Sequence, residues 1–373
     1  MKLSFYGADR SVTGSCHMVE CAGKRVLIDC GLYQGSRELD EENSHPFGFD
    51  AASVDYVLLT HAHLDHCGRL PLLSKRGFQG EIITTAASRE LARLVMLDAA
   101  HLHEQDVSYR ARIAGRRAST NQIMAPLYSV ADALRSFDHF GRPAVYDVPI
   151  ELAAGVRATF INAGHILGSA SIYLQLTERS QQSTVLFSGD LGKSGGPLLR
   201  DPTKPPAAAN VVMETTYGDR LHKPLGPSIE EFYDAVTNTF KGGGNVIVPT
   251  FALERAQELL YFINQGIDHD RLTKSTQVIV DSPMAISATE IMQHHLEGLK
   301  PEIAKRIQDG HDPFHFPGLH FTRESAESSA LNMIRAGAII SSTTFGARNR
   351  ALCLWDMPPV ALWRAASSMA QRK

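Results

Sequence analysis

Only five of the 373 residues are cysteine (Cys16, Cys21, Cys30, Cys67 and Cys353), and no two form a CxxC pair. An odd set without paired spacing gives a disulfide framework little to build on; small buried thiols are the expected role. No apolar run reaches the roughly 18 residues that a membrane helix needs. The opening MKLSFYGADRSV holds no apolar stretch before a cleavage site, so it does not read as a signal peptide, and cytoplasm is the expected location. An excess of positive charge is also missing: 37 Lys and Arg stand against 40 Asp and Glu, a net charge of −3. That excludes attraction of the whole molecule to nucleic acid but leaves room for a local basic groove. The densest basic run, Arg110, Arg112, Arg116 and Arg117 in SYRARIAGRRAS, suits a solvated face at least as well as phosphate contact. There is no internal repeat and no low-complexity segment.

What is present reads as globular. Hydrophobic residues make up 43% and charged residues 21%, and the length predicts about two domains of roughly 100–200 residues. Up to about residue 210, short β-rich runs alternate with Gly-rich turns: KRVLIDCG, VDYVLLTHAH, GEIITT, AVYDVPIEL, VRATFINAGH, ASIYLQLT, STVLFSGD and NVVMETTYG. Several end in a polar residue followed by glycine, which suits strands that deliver functional side chains at their C-terminal ends. A helical block, ASRELARLVMLDAAHLHEQDVSYRARI, lies among them. After the Pro-rich connector Asp201–Asn210 the rhythm becomes strand–helix alternation, which predicts a small parallel-sheet domain. Within it, SIEEFYDAVTNTF reads as a helix with Ser228 as N-cap and Glu231 at N3.

The chemistry concentrates in LLTHAHLDHCG, Leu58–Gly68. His61, His63, Asp65 and His66 place four metal-capable side chains within six positions. A hydrolytic metal takes imidazole and carboxylate ligands and keeps a position open. His61 and His63 alternate with Ala62 and Leu64 and so project together from a strand end or tight loop. Asp65 and His66 then turn toward a second ion, roughly 3.5–4 Å from the first in two-metal sites. Six positions do not close two sites, so further ligands come from elsewhere. His165 in FINAGHILGSAS and Asp190 in VLFSGDLG follow strands in matching contexts; on the residues alone, ligand and ordinary strand-end residue are equally good readings of each. Asp29 in VLIDCG is a third strand-end acid, placed to fix the histidine loop by hydrogen bonding. Of the sixteen histidines, His17, His101, His103, His294, His295 and His311 are expected to be surface or core residues.

THAHLDHCG, with IDCG before it and GHILGSAS and FSGDLG after it, resembles the metallo-β-lactamase superfamily. GADRSVTGSCH, METTYGDR, VPTFALERAQELL and DSPMAISAT resemble segments of one branch, the β-CASP nucleases related to the cleavage-and-polyadenylation endonuclease. The likeness runs from about Met1 to Ile340. It implies an α/β fold: an αββα metallo-β-lactamase sandwich, residues 1–209, with an inserted α/β β-CASP domain, residues 210–340. It implies two zinc ions and a bridging hydroxide that attacks a phosphodiester of single-stranded RNA. Carried over residue by residue, His61, His63 and His165 would hold one zinc, Asp65 and His66 the other, and Asp190 would bridge them. Asp29 matches the first superfamily motif. Glu214 matches the first acidic motif of the insertion, which in the family orients a general-acid histidine. The expected catalytic residues are thus Asp29, Asp65, Asp190 and Glu214. Two other classes compete: a non-catalytic RNA-binding or scaffold protein, and a thioester or lactone hydrolase, against which the insertion argues.

The sequence departs from the family after GAII. The two late histidine motifs, one for the general acid and one for a last ligand to the second zinc, are not found. Residues 341–373 form an atypical tail for which a shifted reading frame can spell the family's usual continuation, so the tail is expected to be out of frame. The sandwich is then expected to be incomplete at its C-terminal part, with an open apolar sheet edge, an impaired second metal site and weak or absent cleavage, since general acid help is worth about 10²–10⁴-fold.

Overall fold

The computed structural model describes residues 1–115, 125–331, 334 and 337–342. They fall into two compact units that divide between Gly218 and Asp219, rather than at 209/210.

The first unit is built on two sheets. One has strands β1 (Lys2–Phe5), β2 (His17–Cys21), β3 (Lys24–Ile28), β4 (Tyr56–Leu58), β5 (Glu81–Thr85) and β6 (Phe140–Ala144), side by side in that order. β1 to β3 are antiparallel and β3 to β6 parallel. The β2–β3 hairpin closes on Ala22 and Gly23, at φ of 50° and 74°, the left-handed pair that a two-residue hairpin turn demands. The second sheet has β7 (Ile150–Ala153), β8 (Val156–Asn162), β9 (Ala170–Glu178), β10 (Gln181–Phe187) and β11 (Asn210–Val212), in the order β11-β10-β9-β8-β7. Period-two alternation aims one face of each sheet at the other. Val19, Val26, Ile28, Leu58 and Ile83 of the first share a core with Phe160, Ile172, Leu174, Val185 and Phe187 of the second.

β11 explains where the units divide. It pairs parallel to β10, so the segment after the connector still belongs to the first unit. Among the described residues β11 is an edge strand, and Val211 within it and Met213 just after it are exposed.

The second unit contains a parallel sheet of β12 (Val246–Pro249), β13 (Gln277–Asp281), β14 (Leu319–Phe321) and β15 (Ala338–Ser342), in the order β12-β15-β13-β14. β15 runs two residues past the boundary expected at Ile340, because Ser341 and Ser342 continue the ladder beside Val280 and Asp281. The helix expected from Ser228 begins earlier, at Leu225, with Pro224 as N-cap. The Ser228 hydroxyl instead donates back to the Pro224 carbonyl at 3.0 Å from within the first turn. Cys16, Cys21, Cys30 and Cys67 are free and buried. Arg116, Arg117, Cys353 and the tail from residue 343 lie outside the described residues. No helix among the described residues is long and apolar enough to cross a membrane.

Candidate metal centre

The site forms where β3, β4, β8 and β10 end. Asp29 follows β3, Thr60 and His61 follow β4, His165 follows β8 and Asp190 follows β10. A one-turn helix, Leu64–Cys67, carries Asp65 and His66.

Backbone hydrogen bonds stitch this turn to the end of β3. Cys30 N–H donates to the His66 carbonyl at 2.8 Å, Leu32 N–H to Leu64 at 2.8 Å, and Ser15 N–H to Asp65 at 2.9 Å. The approach is so close that a Cβ on Gly31 would lie 1.5 Å from the Asp65 oxygen; the glycine of IDCG is needed for contact, not for freedom of rotation. Asp29 itself takes φ of 59°, a left-handed conformation that Asp tolerates better than most residues. The turn turns its carboxylate onto the histidine loop. Asp29 Oδ1 accepts from Thr60 N–H at 2.8 Å, and Oδ2 accepts from the Thr60 hydroxyl at 2.8 Å. His66 Nδ1 lies 2.7 Å from Oδ2.

Four ligand atoms, one each from His61, His63, His165 and Asp190, lie within 4.8 Å of one another. Nδ1 of His63 faces Nε2 of His61 at 3.2 Å and Nε2 of His165 at 3.2 Å. Three imidazole nitrogens and a carboxylate oxygen thus converge on one point, the donor set that a cation takes. The spacing also fits: ligands about 2.05 Å from a tetrahedral ion stand roughly 3.3 Å apart. Burial first, and then the neighbouring His66, push His61 well below its ordinary value; burial and His165 bring His63 down to about 4. Both are therefore neutral at pH 7, the form that binds a metal.

His66 and Asp65 are brought beside this group and not into it. Nε2 of His66 lies 3.2 Å from Oδ1 of Asp190 and 3.7 Å from Oδ2 of Asp65. Asp190 Oδ2 instead faces His165 Nε2 at 3.5 Å and His61 Nε2 at 3.8 Å. The carboxylate thus divides its oxygens between the three histidines and His66, the placement a bridging ligand needs. Burial works against a charged His66, but Asp29 and Asp190 outweigh it and hold its pKa well above the ordinary value. Burial raises Asp190, and the His66 contact overrides it and keeps the carboxyl at about 2. Without a metal, the His66 imidazolium supplies the positive charge between the two acids.

Glu214 sits one step outside. Its Oε1 accepts from Leu191 N–H at 2.9 Å, and its own N–H donates to the Ser188 hydroxyl at 3.1 Å, so it braces the turn that carries Asp190. Two further supports are not evident from the sequence. Ser169 Oγ accepts from the N–H groups of His165 at 2.9 Å and Ile166 at 3.2 Å, fixing the His165 turn; its signal was the serine four residues after the histidine. Thr60 lies directly before the motif, where only the proximity of β3 and β4 gives it a role. His17, expected to be an ordinary residue, is buried among Phe5 and Phe187.

Comparison with known proteins agrees with this geometry. The sequence model of the Metallo-beta-lactamase superfamily matches residues 10–250, and that of the Beta-Casp domain matches residues 256–348. The chain is 36% identical over 332 residues to Ribonuclease TTHA0252 of Thermus thermophilus, covering 89% of this chain and 70% of that protein. It is 31% identical over 329 residues to Transcription termination factor FttA of Methanothermobacter thermautotrophicus, covering 84% of this chain and 47% of that protein. It is 28% identical over 328 residues to Endoribonuclease YSH1 of Saccharomyces cerevisiae, covering 85% and 40%. The chain therefore spans less than half the length of the archaeal factor and of the yeast enzyme. With its histidine and aspartate cluster at the strand ends and a family match over most of its length, the chain belongs to the metallo-β-lactamase superfamily, in the branch that carries a Beta-Casp domain.

Proposed function

We propose that this chain is a zinc-dependent ribonuclease that hydrolyses phosphodiester bonds of single-stranded RNA. The observation that carries the reading is the divided Asp190 carboxylate, with one oxygen toward His66 and the other toward His61 and His165. His61, His63, His165 and Asp190 would hold one ion; Asp65, His66 and Asp190 would hold the other. An imidazole-rich set favours zinc over the hard, oxygen-seeking cations. When bound, the metals supply Lewis acidity and neutralise charge that builds on the phosphoryl oxygens.

The chain's own residues prepare the site. Asp29 holds His66 by its Nδ1, leaving Nε2 directed at Asp190. Glu214 and Ser169 hold the two turns that bring Asp190 and His165 up to the motif. A fixed ligand geometry means that little reorganisation is needed when charge develops on the substrate. Relatives of this architecture are named a ribonuclease and an endoribonuclease, which favours RNA over a small thioester or lactone.

The test is to incubate the zinc-loaded chain with a labelled single-stranded RNA and, separately, a thioester. The expected result is RNA cleavage, weak for want of a general-acid histidine, that stops with chelator and returns with zinc. Thioester hydrolysis without RNA cleavage, or RNA bound tightly and left intact, would refute the proposal.

A further inference from the structure

Thr60 is 1% exposed and precedes the first histidine of the motif. Its hydroxyl lies 2.8 Å from Asp29 Oδ2, 3.0 Å from His61 Nδ1 and 3.4 Å from His66 Nδ1. It owns one hydrogen. An ionised carboxylate only accepts, so that hydrogen goes to Asp29. The oxygen is then left as an acceptor, and His61 satisfies it by carrying its proton on Nδ1. The imidazole is thereby fixed with a bare Nε2, the atom that faces His63 and Asp190. Asp29 Oδ2 likewise holds a proton on Nδ1 of His66, so Nε2, which faces Asp190, is the nitrogen that a metal would use. One carboxylate oxygen and one hydroxyl orient a histidine in each metal position.

We propose that Thr60 is a positioning residue for metal binding, relaying Asp29 to His61 and thereby tying the three-histidine position to the His66 position. This rests on the reading of the cluster as a metal centre. Without the hydroxyl, the fully buried His61 Nδ1 loses its acceptor, and the proton is free to move to Nε2, where it blocks the ligand. His66 keeps its direct contact with Asp29 and is disturbed less.

The experiment is zinc titration of the metal-free full chain against a competing chelator, for wild type, Thr60→Val and Thr60→Ser, with imidazole ¹H–¹⁵N spectra of each metal-free form. Valine keeps the shape and removes the hydroxyl; serine restores it. Thr60→Val is expected to weaken zinc binding about 10–100-fold, the usual range for partners that orient a ligand histidine, while Thr60→Ser stays close to wild type. His61 is expected to be protonated on Nδ1 in wild type and Thr60→Ser, and on Nε2 in Thr60→Val. Unchanged affinity in Thr60→Val, or Thr60→Ser as weak as Thr60→Val, overturns the proposal. Should Thr60→Val not fold, the wild-type spectrum decides alone: a His61 proton on Nε2 overturns it. A wild-type chain that binds no zinc at all removes the metal reading itself, a separate result.

Discussion

Asp190 points Oδ1 at Nε2 of His66, 3.2 Å away, and Oδ2 at Nε2 of His165, 3.5 Å away. A single side chain therefore touches both halves of the cluster. Asp190→Ala is expected to lower metal content and to reduce cleavage by on the order of 10²-fold or more, since it removes both a proposed ligand and a preorganised charge. Elemental analysis and an RNA cleavage assay check this together. A variant that retains full metal content and activity would place the bridge elsewhere.

Gly31 is fixed by contact. A Cβ there would meet the Asp65 carbonyl oxygen at 1.5 Å and its carbon at 2.1 Å. Both neighbours are backbone, and the Asp65 segment is tied to Ser15 and Cys30, so neither side has room to move. Gly31→Ala is expected to destabilise the chain by about 1–3 kcal/mol or more and to weaken metal binding at the same time. Urea unfolding of the metal-free form measures the first effect; an unchanged midpoint would contradict it.

The metal-free chain should lose stability on acidification. His61 and His63 are held neutral in the fold, His63 down to about 4, whereas in the unfolded chain they take up protons near pH 6.5. The unfolded state therefore binds more protons between about pH 6.5 and 4, and stability falls as pH falls through that window. His66 acts in the opposite sense. Its raised pKa gives stability that is complete below about pH 6.5 and lost as pH rises through the folded value. A metal held at Nε2 of His66 would displace its proton, so metal affinity is expected to rise with pH. Unfolding curves in chelator across the pH range, and zinc titrations at two pH values, test both statements.

Ser129 offers a control away from the centre. It caps the helix Val130–Ser136 in a reciprocal box with Asp132. Asp132 is buried, which raises its pKa, but hydrogen bonds from Ser129, Arg135 and Lys75 outweigh this and keep it well below the usual range. Ser129→Ala should cost about 1 kcal/mol of stability and leave zinc affinity unchanged. A fall in zinc affinity of the size seen for site variants would mean that the centre is less locally built than described.

The legible parts of this protein were those encoded locally. His61, His63, Asp65 and His66 fall within one loop, so their convergence is visible in the sequence itself, and the strand-end contexts of His165, Asp190 and Asp29 carried enough pattern to be singled out. Thr60 was not visible because its role exists only where β3 and β4 lie side by side. Ser169 needed the closed turn after β8. Three residues, Asn210–Val212, are too few to declare themselves a strand of the first unit until β10 is present to pair with them. Ser228 does not mark the helix start for a similar reason: a serine and a glutamate at capping spacing recur inside a helix that begins one turn earlier.

The most direct test of the metal centre is the zinc content of the purified, folded chain and of its His61→Ala, His63→Ala double variant, measured by elemental analysis after dialysis. The structure predicts bound zinc in the wild type and its loss in the double variant. A folded wild-type chain without bound metal under zinc-replete conditions, or a double variant that keeps the same content, would contradict it.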